Sequence, residues 1–119
     1  MKKNSLVISL LLAISLLSCN TLRSTTYIEP QKSFVLGEGK HGSYSAKIQN
    51  VGEPDLAIFQ ISTKGERLPL GVLKKDEKKS FKAAPNTTLI IANNGLTKGA
   101  AKIVAAGDTN LSMGYKENK

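Results

Sequence analysis

The chain has no tryptophan, three phenylalanines, three tyrosines, one cysteine and one histidine among 119 residues. Each scarcity closes off a class of protein. Without tryptophan, an immunoglobulin-type core packed round a buried indole is excluded, and a carbohydrate platform of stacked aromatic faces is poorly supplied. The one histidine, His41, lacks the Cys and His neighbours that a zinc site needs, so no metal site is expected. The G-x-S-x-G and S-x-x-K strings of serine-based catalysts are missing. The acids Glu53, Asp55, Glu66, Asp76, Glu77 and Asp108 fall mostly in expected turns, where they shape loops and solubilise. No catalytic residue is therefore assigned, and the chain is expected not to be an enzyme. Acids are also scarce overall, 9 against 17 Lys and Arg, giving a formal charge of +8.

A long apolar run occurs only once. Ser5 to Leu17 follows Lys2 and Lys3, and as a helix its roughly thirteen residues reach about 20 Å, short of the ~30 Å hydrocarbon layer of a bilayer. It has the length and flank of a signal-peptide h-region, not of a membrane span. The run ends in Leu16-Leu17-Ser18-Cys19, which resembles a lipobox, the signature of bacterial lipoproteins; Leu17 departs from the small or β-branched residue usual there. That resemblance implies a diacylglyceryl thioether on Cys19, cleavage just before it, and acylation of the new amino group. It implies a protein of the cell envelope tied to the membrane by its lipid. Asn20, where an Asp would favour inner-membrane retention, points to the outer membrane. Lipid on Cys19 is the only prosthetic group expected, and it also removes an unpaired thiol that an oxidising compartment would make a hazard.

The expected organisation is a signal peptide at 1–18, a lipidated N-terminus and flexible tether at 19–32, and a β-domain at 33–119. The tether rests on the Ser, Thr and polar content of residues 20–31, with Thr25 to Ile28 able to join a sheet edge. Removing Lys2 and Lys3 from the 17 basic residues leaves 15 against 9 acids, a mature charge near +6. In the envelope such a charge meets lipid headgroups, lipopolysaccharide phosphates, acidic glycans or acidic proteins, and no nucleic acid partner is expected.

Past the leader the apolar period is two. Tyr44, Ala46 and Ile48 alternate with polar neighbours, and similar runs follow at 56–62, 67–73, 78–83, 87–93, 100–106 and 111–115. Gly, Asn, Asp and Pro punctuate them, and no window holds the 3.6-residue period of a helix. About eight short strands, counting Ser33 to Leu36, indicate an all-β fold, a small antiparallel β-sandwich with a barrel or jelly roll as the alternative. The inward set expected is Phe34, Leu36, Tyr44, Ala46, Ile48, Ile58, Phe59, Ile61, Leu68, Leu70, Val72, Phe81, Leu89, Ile91, Ile103, Ala105, Leu111 and Met113. No internal repeat is evident in the letters.

Two local features invite a functional reading. Gly37-Glu38-Gly39-Lys40-His41-Gly42 spells the dinucleotide fingerprint G-x-G-x-x-G, but a strand pattern follows where the phosphate-binding helix should begin. It reads better as a glycine-rich hairpin loop, with Lys40 and His41 as anion or partner contacts. The second is the charge cluster Lys74, Lys75, Lys78 and Lys79, extended by Lys82, a solvated turn or a lysine patch for an anionic partner. Together these suit a non-catalytic accessory or binding module at the envelope. The competing expectation is a small inhibitor or immunity-type factor presenting the 37–42 loop.

Overall fold

The computed structural model describes residues 21–118; the signal peptide and Cys19 lie outside them. Nine strands form: β1 (Thr21–Ile28), β2 (Lys32–Leu36), β3 (Tyr44–Asn50), β4 (Leu56–Ile61), β5 (Arg67–Leu73), β6 (Lys78–Ala83), β7 (Thr88–Asn93), β8 (Gly99–Gly107) and β9 (Met113–Glu117). They pair antiparallel in two sheets, ordered β1-β8-β3-β6 and β5-β4-β7-β2-β9. The fold is an all-β sandwich, and its first eight strands follow the jelly-roll order.

The tether expected at 19–32 requires correction. Residues 21–28 are a full strand, paired with β8 over its whole length from Thr21↔Ala106 to Ile28↔Gly99. Its polar composition misled because β1 is an edge strand: Thr21, Arg23, Thr25 and Tyr27 face solvent, and Thr26 and Ile28 turn inward. The Thr26 hydroxyl shares a 2.6 Å hydrogen bond with the Tyr115 hydroxyl of β9, which ties the two sheets at their open side. Tyr115 also packs edge-on against Phe34, with centroids 5.5 Å apart.

The sandwich contains a twofold repetition that the letters hide. Exchanging β1 with β5, β8 with β4, β3 with β7 and β6 with β2 converts one sheet order into the other. Side chains obey the same exchange. Asn50, at the end of β3, donates from Nδ2 to the carbonyls of Pro54 and Leu73 (2.9 Å each) and accepts the Gly52 N–H at 2.9 Å. Asn93, at the end of β7, donates to the carbonyls of Thr97 (2.8 Å) and Ile28 (2.9 Å) and accepts the Gly95 N–H at 2.9 Å. Both side chains are fully buried. Each asparagine pins the loop by which its strand leaves for the other sheet, a job a buried amide can do because all its polar atoms find partners. The turns facing them match as well: Gln31 and Asp76 both have positive φ, and their N–H groups donate to the carbonyls of Asn93 and Asn50.

The core is aliphatic, with Ile28, Leu36, Ile48, Leu56, Ile58, Leu89, Ile91 and Ile103 essentially sealed. Most of the expected inward set is in it. Leu70 and Leu111 pack against it half-buried, but Leu68, Val72 and Met113 are exposed, and Phe59 and Ile61 lie on the outward side of β4. With Leu56 and Ile58 inward and β4 in unbroken register with β7, Phe59 and Ile61 alternate outward, while an extra residue on β5, Leu70, shifts the β4–β5 register opposite Ile58 and Phe59.

Candidate functional site

At one end of the sandwich the 37–43 loop is fastened rather than loose. The Gly37 N–H donates to the Ser112 carbonyl at 2.8 Å, and the Glu38 N–H donates to Ser112 Oγ at 2.8 Å. Further on, the His41 N–H donates to Asn86 Oδ1 (2.8 Å), and the Asn86 N–H returns a bond to the His41 carbonyl (3.1 Å). Gly37 has φ +80°, and a Cβ there would lie 2.8 Å from Tyr44 Oη, so only glycine fits. Asp108 completes the loop by accepting the Gly42 N–H at 2.6 Å. That bond, with a second from the Asn110 N–H and the nearby His41, holds its carboxyl below the ordinary value.

His41 is held by backbone on both sides of its ring. Nδ1 lies 2.7 Å from the Gly42 carbonyl and Nε2 lies 2.8 Å from the Thr87 carbonyl. The ring also packs edge-on against Tyr44, with centroids 5.3 Å apart. Both ring nitrogens face backbone carbonyls, so neither is aimed at a serine. Tyr44 lies in the core beneath, and its burial pushes the phenol up to about 12, partly offset by a backbone hydrogen bond from Leu89.

The lysines expected to form one patch are dispersed. Lys40 sits exposed at the tip of the fastened loop. Lys74 and Lys75 lie at the β5–β6 turn at the opposite end, where the Lys75 ammonium meets Glu53 Oε1 at 2.7 Å. Lys79 is on the inward side of edge strand β6, with its Nζ 5.8 Å from the Phe81 ring. Only Lys78 and Lys82 share a surface, the outer face of the β1-β8-β3-β6 sheet. A cleft of about 760 Å³ beside that face is lined by Ser43, Tyr44, Ser45, Lys82, Ala83 and Gly107, among others. Its lining contains no carboxylate or imidazole.

Three cations that sequence reading did not single out join Lys78 and Lys82 there. The register sets Thr21, Ala106, Ser45 and Lys82 in one row, Arg23, Val104, Lys47 and Ser80 in the next, and Thr25, Lys102, Gln49 and Lys78 in a third. Arg23, Lys47 and Lys102 were individually unremarkable in sequence because each is the single cation of its own strand. Only the register across four strands gathers them. A depression of about 310 Å³ is lined by Arg23, Lys47, Gln49, Lys78, Lys102 and Val104.

No protein-family model matches the chain, and no curated protein does. Among solved structures it is similar to procruciferin, an 11S globulin from Brassica napus, at 6% identity and a TM-score of 0.54 over 79% of this chain and 22% of that one. It is also similar to PirA (18% identity, TM-score 0.49, 68% of this chain and 90% of that one). A third likeness is the Yersinia pseudotuberculosis-derived mitogen (13% identity, TM-score 0.47, 78% and 94%). At these identities the procruciferin likeness speaks for the two-sheet fold alone.

Proposed function

We propose that this chain is a bacterial envelope lipoprotein, held by lipid on Cys19, whose β-sandwich is a non-catalytic accessory or binding module. One observation carries the reading. Among the described residues, all nine strands lie C-terminal to Cys19, so cleavage before Cys19 leaves every described strand on its anchor. The ring nitrogens of His41, both facing backbone carbonyls, argue against a serine hydrolase. The exposed outer face of the β1-β8-β3-β6 sheet suits a module that works through a surface.

Labelled palmitate should enter the wild-type protein in a bacterial host and not enter Cys19→Ala, which should accumulate as uncleaved precursor. Label in the variant would refute the anchor. The inhibitor reading draws on a different observation, the fastened loop with Glu38, Gly39 and Lys40 exposed at its tip. Pull-down from detergent-solubilised envelopes separates the two: loss of partners with Lys102→Ala supports the module, and loss with Lys40→Ala supports the inhibitor.

A further inference from the structure

We infer that the outer face of the β1-β8-β3-β6 sheet lies against an anionic phospholipid surface, so that the protein binds its membrane through a protein face as well as through lipid. The inference deepens the anchored reading and rests on it for the nearness of the bilayer.

The face is one-signed. Arg23, Lys47, Lys78, Lys82 and Lys102 project from it, all exposed, and its remaining outward positions in the three rows are Thr, Ser, Gln, Val and Ala. Among the described residues, the ion pairs are Lys32–Glu117, Lys75–Glu53 and Lys98–Glu29, and none of them engages these five cations. No acid stands in the three rows; Glu29, Glu77 and Asp108 border them, Glu29 paired to Lys98 and Asp108 bonded to the Gly42 and Asn110 N–H groups. Strands about 4.8 Å apart and alternate residues about 6.7 Å apart place the five charges within an area of roughly 15 Å on a side. That compares with a Debye length of about 8–10 Å, so their fields add. The depression among Arg23, Lys47, Lys78 and Lys102 can receive a phosphate. Tyr27, 61% exposed on the same face, is the kind of amphipathic ring that favours a membrane interface.

The anchor's position selects lipid over other polyanions. Only Asn20 separates Cys19 from Thr21, and Thr21 is the outward-facing first residue of edge strand β1. One residue spans about 3.5 Å, so an acyl chain seated in the bilayer brings the Thr21 edge of this face to headgroup depth. Lysines attract phosphates without fixing a geometry, which suits a fluid headgroup layer.

The test is lysine acylation footprinting of the intact protein, wild type and Cys19→Ala, on vesicles of phosphatidylcholine alone or with phosphatidylglycerol, and with duplex DNA as a separate polyanion. Phosphatidylglycerol should slow acylation of Lys47, Lys78 and Lys102 by about fivefold relative to phosphatidylcholine, in line with the attraction expected per lysine at an anionic surface. Lys64 and Lys116, away from this face, should change by less than about twofold, and high salt should erase the difference. Equal protection on both vesicle types, equal protection of Lys64 and Lys116, or protection by DNA but not by vesicles would overturn the inference. Lipid on Cys19 is read separately by mass: lipid present without phosphatidylglycerol-dependent protection refutes the face alone, and protection without lipid refutes the anchor alone.

Discussion

Asn50 and Asn93 are the residues on which two of the sheet-to-sheet crossings, β3 to β4 and β7 to β8, depend. Each fills its buried hydrogen-bonding capacity with three backbone partners, and truncation would leave carbonyls without donors in the interior. Asn50→Ala and Asn93→Ala should each lower stability by about 2–4 kcal/mol in urea unfolding, whereas exposed Asn94→Ala should stay within about 0.5 kcal/mol. Two ionisable residues set the pH limits of the closed end. Asp108, held below its ordinary value of 3.8 mainly by the Gly42 N–H, stabilises the fold above that value and loses the contribution as pH falls through the lowered one. Tyr44 runs the other way: with its phenol raised from 10.0 to about 12, its contribution is intact below pH 10 and is lost as pH rises through about 12. Acid unfolding followed by circular dichroism should be less steep in Asp108→Asn, and the wild-type loss between pH 10 and 12 should shrink in Tyr44→Phe.

Strand β1 shows where the elements were and were not legible. Eight strands could be placed from alternation because their inward residues are large and apolar, as in Tyr44, Ala46 and Ile48. β1 sets Leu22, Ser24, Thr26 and Ile28 on its inner side, half of them polar, so its period is faint and its composition is that of a linker. Its pairing is nevertheless complete, and Ile28 is fully buried. Ile28→Ala should cost about 2–5 kcal/mol, against almost nothing for the exposed Leu96→Ala. Hydrogen exchange should find the β1 amides that bond β8 protected; exchange at unfolded rates throughout 21–28 would restore the tether. The β5 bulge was equally hidden, since nothing in Arg67 to Leu73 marks Leu70 as the residue without a partner on β4. The lysine cluster failed for a related reason. Neighbours along a strand face opposite ways, so Lys78 and Lys79 part company while Lys78, Lys102 and Arg23, distant in sequence, share a surface.

At the scale of the whole molecule, the proposed reading makes leader, cysteine, sandwich and basic face one arrangement. The apolar run and Leu16-Leu17-Ser18-Cys19 are visible in the letters alone, because a targeting signal of the proposed kind is linear chemistry that needs no fold. The basic face could not, because it exists only once four strands are in register. Cleavage before Cys19 would leave a domain whose first strand starts almost at the bilayer and whose adjoining face bears cations and no acid. The most direct measurement is the intact mass of the protein purified from bacterial membranes. The account predicts a polypeptide that begins at Cys19 and carries diacylglycerol and acyl mass on that residue. A chain that retains residues 1–18, or that begins at Cys19 with an unmodified thiol, would contradict it.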